Sequence, residues 1–251
     1  MKRKALIIAN ADGLPGVDVD VTNIRTFLTS ISGGGWFDDE IEILRSPLKS
    51  NLISKLSGVR GCYDFTIVFF AGHGGNNRGR NLLFLNSYNE YITDSDISNL
   101  SERQINIIDC CRSPVADYEL VKLSESCVAG LESYSDEYLS LDEARAKYEE
   151  RVKKSPTQQV TLYACSEGEY SSDTKNGGLY TSAFLEKAAN CNKKQAFQTA
   201  LACHTAISSQ VTMQAQKFGN NQHPDFSALR VVEDKQLIIS INPISLVHLF
   251  S

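Results

Sequence analysis

Two apolar runs, Phe65–Ala71 (FTIVFFA) and Ile105–Asp109 (INIID), constrain the fold most, because neither alternates between apolar and polar residues. A strand with one wet face alternates with period two. A run without alternation reads as a strand covered on both faces, as in a parallel sheet between helices. Lys4–Ala9 (KALIIA), Ile41–Leu44 (IEIL) and Gln159–Ala164 (QVTLYA) read as further strands. Amphipathic stretches separate them. Val19–Thr29 carries Val21, Ile24, Phe27 and Leu28 at helical spacing, and Leu48–Leu56 carries Leu48, Leu52, Ile53 and Leu56. Helices are also expected over Ser182–Asn190 and Lys194–Lys217. Strands and helices in alternation predict an α/β chain: a three-layer α/β/α sandwich around a mostly parallel sheet.

Two segments break this rhythm. Asn81–Leu85 and Glu90–Ile92 flank Asn86-Ser87-Tyr88-Asn89 and read as an inserted hairpin. Pro114–Pro156 is a long connection between the fourth and fifth strands, with a charged, helical second half ending RAKYEERVKK. A connection of that length in a compact domain is usually functional. The apolar tail, Gln236–Phe250, reads as an edge strand or a cap on the sheet.

Composition narrows the function. The 251 residues, 42% of them apolar, suffice for one large domain, and residues 1–251 read as a single one. A net charge of −5 gives no basic footprint for neutralising phosphates, so no nucleic-acid partner is expected. No apolar stretch approaches the roughly 20 residues that span a bilayer. Lys2, Arg3 and Lys4 before an apolar run imitate an export signal, but the run is too short and reads as the first strand. Seven cysteines, an odd number in no even framework, point to reduced thiols in a cytoplasmic protein. Cys62, Cys127, Cys165, Cys191 and Cys203 read as small buried residues. No C-x-x-C pair exists for zinc, and no metal site is expected.

Chemistry concentrates where two buried strands end. His73 follows Phe65–Ala71 within AGHGG, and Cys110 and Cys111 follow Ile105–Asp109 within IDCCRS. In open α/β sheets, reactive groups gather at the carboxyl ends of strands. If the two strands are neighbours, an imidazole meets a thiol, which is the pair that nucleophilic acyl transfer needs. An oxyanion also needs unobstructed backbone N–H groups, and Gly74 and Cys111 are placed to supply them. Against this stands the plain alternative that glycines end strands because they tolerate positive φ. A lone histidine is also more often structural. The cysteine at the next strand end tips the balance towards function.

AGHGG and IDCCRS resemble the His-Gly and D-x-C or Q-A-C-R-G boxes of the caspase-like cysteine peptidases of family C14, nearest to the metacaspases and bacterial caspase homologues. Leu14–Leu28 (LPGVDVDVTNIRTFL) is similar to their L-x-G-C-x-x-D-A box. TLYACSEGEY with Gly177–Ala188 (GGLYTSAFLEKA) resembles their fifth strand and the helix after it, and Asn221–Pro224 resembles a closing Q-x-P loop. The likeness covers nearly the whole chain, in order. Val17 replaces a frequent Cys, Arg112-Ser113 replaces His-Ser, and Pro114 replaces Gly.

The resemblance implies a cysteine endopeptidase with His73 as general base and acid and Cys111 as nucleophile. It also implies an acidic pocket for a basic P1 residue, Arg before Lys, formed by Asp20 and Asp109. Asp20 as a helix N-terminal residue and Asp109 as a turn cap are the structural alternatives. Glu167 and Glu169 are candidates for another wall of the substrate cleft. Asp18 is expected in solvent, His204 and His223 in structural roles, and Trp36 as a loop anchor. Lys122, Arg145, Lys147, Arg151, Lys153 and Lys154 are candidate self-cleavage positions, with a solvated helix paired at i,i+4 as the alternative. Protein or peptide substrates and a regulatory partner are expected. The mechanism requires no cofactor; calcium activation, known in part of the metacaspase group, is compatible with the resemblance but is not readable from the scattered acids. Bacterial defence or cell death is the family-level expectation of role. Two other readings compete: a silent caspase-like scaffold, and a thiol redox sensor using Cys110 and Cys111, whose vicinal pairing would be strained.

Overall fold

The structure, a computed structural model, describes residues 1–114, 138–191 and 195–244. Strands β1 (Arg3–Ala9), β2 (Ile41–Arg45), β3 (Phe65–Ala71), β7 (Arg103–Asp109), β8 (Gln158–Tyr163) and β12 (Asp225–Ala228) form a six-stranded sheet in the order β12-β8-β7-β3-β1-β2. All neighbours are parallel except β12, which runs antiparallel to β8. The register pairs Ala9 with Ala71 and Ala71 with Asp109, so the segments after β1, β3 and β7 leave from one edge.

Every residue of β3 is buried, as its unbroken apolar run requires. In β1, Ala5, Ile7 and Ala9 face one core cluster, while Leu6 and Ile8 face the other. Helices α1 (Gly16–Thr29), α3 (Leu141–Lys153), α4 (Leu179–Ala189) and α5 (Ala200–Lys217) contribute to the first cluster. Helix α2 (Lys49–Val59) and the insert after β3 cover the second. Among the described residues the arrangement is mixed α/β, with a six-stranded mostly parallel sheet and five α-helices.

Three local expectations are corrected. The insert is a three-stranded antiparallel sheet, β4-β5-β6, because β4 (Gly74–Asn77) joins the hairpin of β5 (Arg80–Phe84) and β6 (Tyr91–Thr93). Helix α1 starts three residues before Val19, at Gly16, whose N–H donates to Asp173 Oδ2 at 3.2 Å. A distant carboxylate at a helix N-terminus cannot be read locally. Helix α5 starts at Ala200 rather than Lys194, because Thr199 Oγ1 accepts from Ala202 N–H and caps it. The residues before it form β11 (Phe197–Thr199), which pairs with β13 (Ile238–Ile241) of the apolar tail. The two short strands β9 (Asp173–Thr174) and β10 (Gly177–Gly178) pair antiparallel beside α1.

Among the cysteines, Cys165 and Cys203 are buried, but Cys62 is exposed and Cys191 only half-buried. Cys127 lies outside the described residues, as does Lys122. Trp36 anchors its loop as expected: it is buried, donates from Nε1 to Gly33 O, and stacks under the Arg3 guanidinium. Among the described residues, no helix is long and apolar enough to cross a membrane.

Candidate active site

The cleft forms where β1, β3 and β7 end. His73 and Cys111 both line it, together with Asp20, Asp109 and Asp173, around about 610 Å³ of space that includes the open mouth. His73 and Cys111 therefore stand on neighbouring loops of one edge and line one cleft. The loops are stitched directly: Gly72 N–H donates to Asp109 O at 3.2 Å, and Asn76 N–H donates to Ser113 O at 2.7 Å. A Cβ on Gly74 would collide with Cys110 Sγ and the Cys111 carbonyl, so only glycine lets the two segments approach this closely.

Strand β4 also aims a backbone donor. Phe84 N–H donates to His73 O at 3.0 Å, which makes 73/84 a hydrogen-bonded pair of the antiparallel ladder. The next pair, Gly74 with Leu83, is then a non-hydrogen-bonded one, and its N–H points away from β5. That direction leads to the segment holding Cys111, as the Asn76 bond to Ser113 on the same side of β4 illustrates.

A backbone carbonyl orients His73. Nε2 lies 2.5 Å from Asp12 O. A carbonyl oxygen only accepts, so Nε2 carries the proton and the basic lone pair sits on Nδ1. No sequence pattern marks this partner, because any residue supplies a carbonyl. Cys111 Sγ approaches Ser171 O at 3.8 Å. Burial pushes the thiol up to about 11, with the Ser171 contact acting in the opposite sense and the Asp109 charge adding to the rise. The resting group is a thiol. Cys110 instead packs its sulfur beneath Gly74, and burial raises it well above the ordinary thiol range. The two adjacent sulfurs serve different environments.

Beside His73 and Cys111 the cleft is lined by carboxylates. Asp20 falls on the buried stripe of α1 with Val17, Val21, Ile24 and Leu28, at a position where periodicity asks for an apolar residue. Its carboxylate accepts the Gly178 N–H at 2.9 and 3.1 Å. Asp109, at the end of β7, accepts from Ser171 Oγ at 2.5 Å and from Thr181 Oγ1 at 2.6 Å. Gly178 separates the two carboxylates, and a Cβ there would collide with Asp109 Oδ2. Asp173 is a third acid, missed by the sequence reading. Burial drives it up to about 6, the Gly16 N–H opposes this, and the Asp109 charge adds to it. Burial likewise raises Asp109, and it lifts Asp20 well above the carboxylate range with the help of the Asp109 charge. Three carboxylates that resist ionising together make a site that gains by accepting a cation. Among the described residues, no group of three or more His, Cys, Asp or Glu side chains is arranged to hold a metal ion.

Glu167 and Glu169 do not line this cleft. Glu167 pairs with Arg112 at 3.2 Å. Glu169 accepts from His223 Nδ1 at 2.6 Å and from His223 N–H at 2.7 Å, and its carbonyl accepts the Arg112 N–H. They brace the loop behind Cys111. Gln222, fully buried in the closing loop, donates to Ala164 O and accepts the Ser172 N–H, holding the wall that carries Ser171. Asp18 stands in solvent with Arg45, and His204 is buried against the Tyr180 hydroxyl. Both match expectation.

Comparison with known proteins agrees with this geometry. The family model for the caspase domain, peptidase C14, matches residues 2–235. No curated protein matches the chain. Caspase-1 from Spodoptera frugiperda superposes with a TM-score of 0.57 at 12% identity, over 90% of this chain and 86% of that one. A protein from Geobacter sulfurreducens superposes with a TM-score of 0.58 at 14% identity, over 94% of this chain and 97% of its own. At such identities the likeness shows the fold alone, and the family rests on the match along the sequence. The chain belongs to the caspase-domain family of cysteine peptidases.

Proposed function

We propose that this protein is an endopeptidase that cuts after a basic residue, Arg before Lys, through a His73–Cys111 dyad. The carrying observation is that both groups line one cleft with three buried or half-buried carboxylates at its side. A guanidinium entering the pocket replaces mutual carboxylate repulsion with charge-assisted hydrogen bonds, and its planar fork suits paired acceptors better than an ammonium does. An anionic P1 residue would meet only like charge.

The steps follow from the protonation states. Cys111 rests as a thiol, so His73 Nδ1 takes its proton as sulfur attacks the scissile carbonyl. Negative charge develops on the carbonyl oxygen, and the Gly74 and Cys111 N–H groups are the donors for it. His73 then protonates the leaving amine, giving a thioester. Water, deprotonated by the same imidazole, attacks the thioester and releases the acid and the thiol. Asp12 O holds the imidazolium that forms twice in the cycle.

The test is hydrolysis of fluorogenic peptides ending in Arg, Lys or Asp, with and without calcium. Arg turnover that disappears in Cys111→Ala is the expected result. Preference for Asp would overturn the pocket while leaving the dyad. No turnover under any condition, with both side chains intact, would point to a scaffold.

A further inference from the structure

The histidine is held by the backbones of two residues, Asp12 and Phe84, and one buried side chain bonds to the other backbone group of each. Asp12 O accepts from His73 Nε2, and Phe84 N–H donates to His73 O. Asn10, 1% exposed just beyond β1, accepts the Asp12 N–H on Oδ1 at 3.3 Å and donates from Nδ2 to Phe84 O at 3.1 Å. Its own N–H donates to Ala71 O at 2.9 Å. Gly72, immediately before His73 and at φ +152°, lies so close that a Cβ would press on the Asn10 backbone and Cβ.

We infer that Asn10 is the positioning residue that fixes the tautomer and orientation of His73, which rests on the dyad reading above. The demand on this side chain is specific. It must offer one acceptor and one donor, at fixed separation, from a buried position. A carboxamide of this length does so. Aspartate would set an oxygen against the Phe84 carbonyl, leucine keeps the shape with neither group, and glutamine is one methylene too long. A turn cap alone would need only the Asp12 bond. The second bond, to the residue that grips the His73 carbonyl, ties Asn10 to both ends of the histidine.

The test uses uniformly ¹⁵N-labelled full-length protein, with imidazole nitrogen shifts and peptide kinetics measured on the parent, Asn10→Asp and Asn10→Ala. The parent is expected to show the Nε2–H tautomer of His73. The variants should show mixed tautomers, with kcat down about 100-fold, the scale on which a misplaced reacting group acts. KM should stay within about twofold, because the substrate pocket is untouched. Variants that melt like the parent and keep both kcat and the Nε2–H signal would overturn the assignment. So would loss of the cooperative melt in every replacement, which would assign Asn10 to the fold instead. Should the parent lack Cys111-dependent turnover, the peptidase reading fails on its own, and the nitrogen shifts still decide the role of Asn10.

Discussion

In the proposed pocket, Asp173 predicts a pH dependence of substrate binding. Its carboxyl titrates at about 6 in the empty site, because burial and the charge of Asp109 outweigh the Gly16 N–H. Below that value the group is neutral and offers a cation less. KM for an Arg peptide is therefore expected to rise as pH falls through 6, and Asp173→Asn should raise KM and flatten this dependence. An unchanged profile in the variant would remove Asp173 from the pocket. Cys111 gives a second prediction. With its thiol pushed up to about 11, iodoacetamide alkylation should keep rising through about pH 9, as a group that loses its proton only at alkaline pH requires. A plateau near neutrality would reveal a preformed thiolate–imidazolium pair instead. Legibility differed sharply among these residues. Asp20 was reached only through the family resemblance of Leu14–Leu28, whereas His73 and Cys111 stood out as reactive groups after buried runs. Asp173 lies in a polar stretch of sequence with no periodicity against which a carboxylate looks unusual, and Asp12 acts through a group that every residue has.

Elements carry the site through a few cross-links, and Arg112 is the densest of them. Its buried guanidinium donates to Asn81 Oδ1, Cys165 O, Asp225 and Glu167, and lies 4.1 Å over the Tyr163 ring. It thereby ties β5, the end of β8 and β12 to the segment that carries Cys111. Arg112→Lys is expected to lower stability by about 2 kcal/mol, since an ammonium cannot serve divergent acceptors and each hydrogen bond to a charged group is worth about 1.5–3 kcal/mol. Chemical denaturation measures this, and a midpoint equal to the parent would contradict it. Gly178→Ala tests the pocket wall: the added methyl meets Asp109 Oδ2, so KM for an Arg peptide should rise roughly tenfold or more, about 1.4 kcal/mol of binding, while Cys111 stays open to alkylation. Strand β4 shows why some elements stayed hidden. Gly-Gly-Asn-Asn has little β propensity, and it is a strand because β5 pairs with it on one side and the Ser113 carbonyl takes the Asn76 N–H on the other.

The whole molecule feels the pocket as a pH-dependent cost. A carboxyl whose folded pKa is raised contributes stability that is full below its unfolded value and lost as pH rises through the folded value. For Asp173 the window is about 4 to 6, and raised Asp20 and Asp109 act in the same sense. Glu40 opposes them. Despite its burial, hydrogen bonds from Arg145, Phe37 and Arg3 bring it down to about 2, so its contribution is lost only on acidification below about 4.5. Tm should therefore fall from pH 5 to pH 7, less steeply in Asp173→Asn, and an arginine amide should restore it at pH 7. Equal slopes in the two proteins would refute the coupling. Self-processing belongs to this scale too. Arg145, Lys147, Arg151 and Lys153 lie inside α3, Lys154 caps it, and Arg145 is also tied to Glu40, so a cut there requires the helix to open. If the parent is nicked, Cys111→Ala should stay intact, and nicking of both alike would dismiss the idea. By itself the sequence determined the layered α/β plan and the two reactive strand ends, because burial on both faces and a terminal His or Cys are properties of contiguous residues. Only tertiary structure decided the Asp12 carbonyl, the third carboxylate and the bracing role of Glu167 and Glu169. Each depends on which distant backbone or side-chain group comes within hydrogen-bond reach, and no local pattern records that distance.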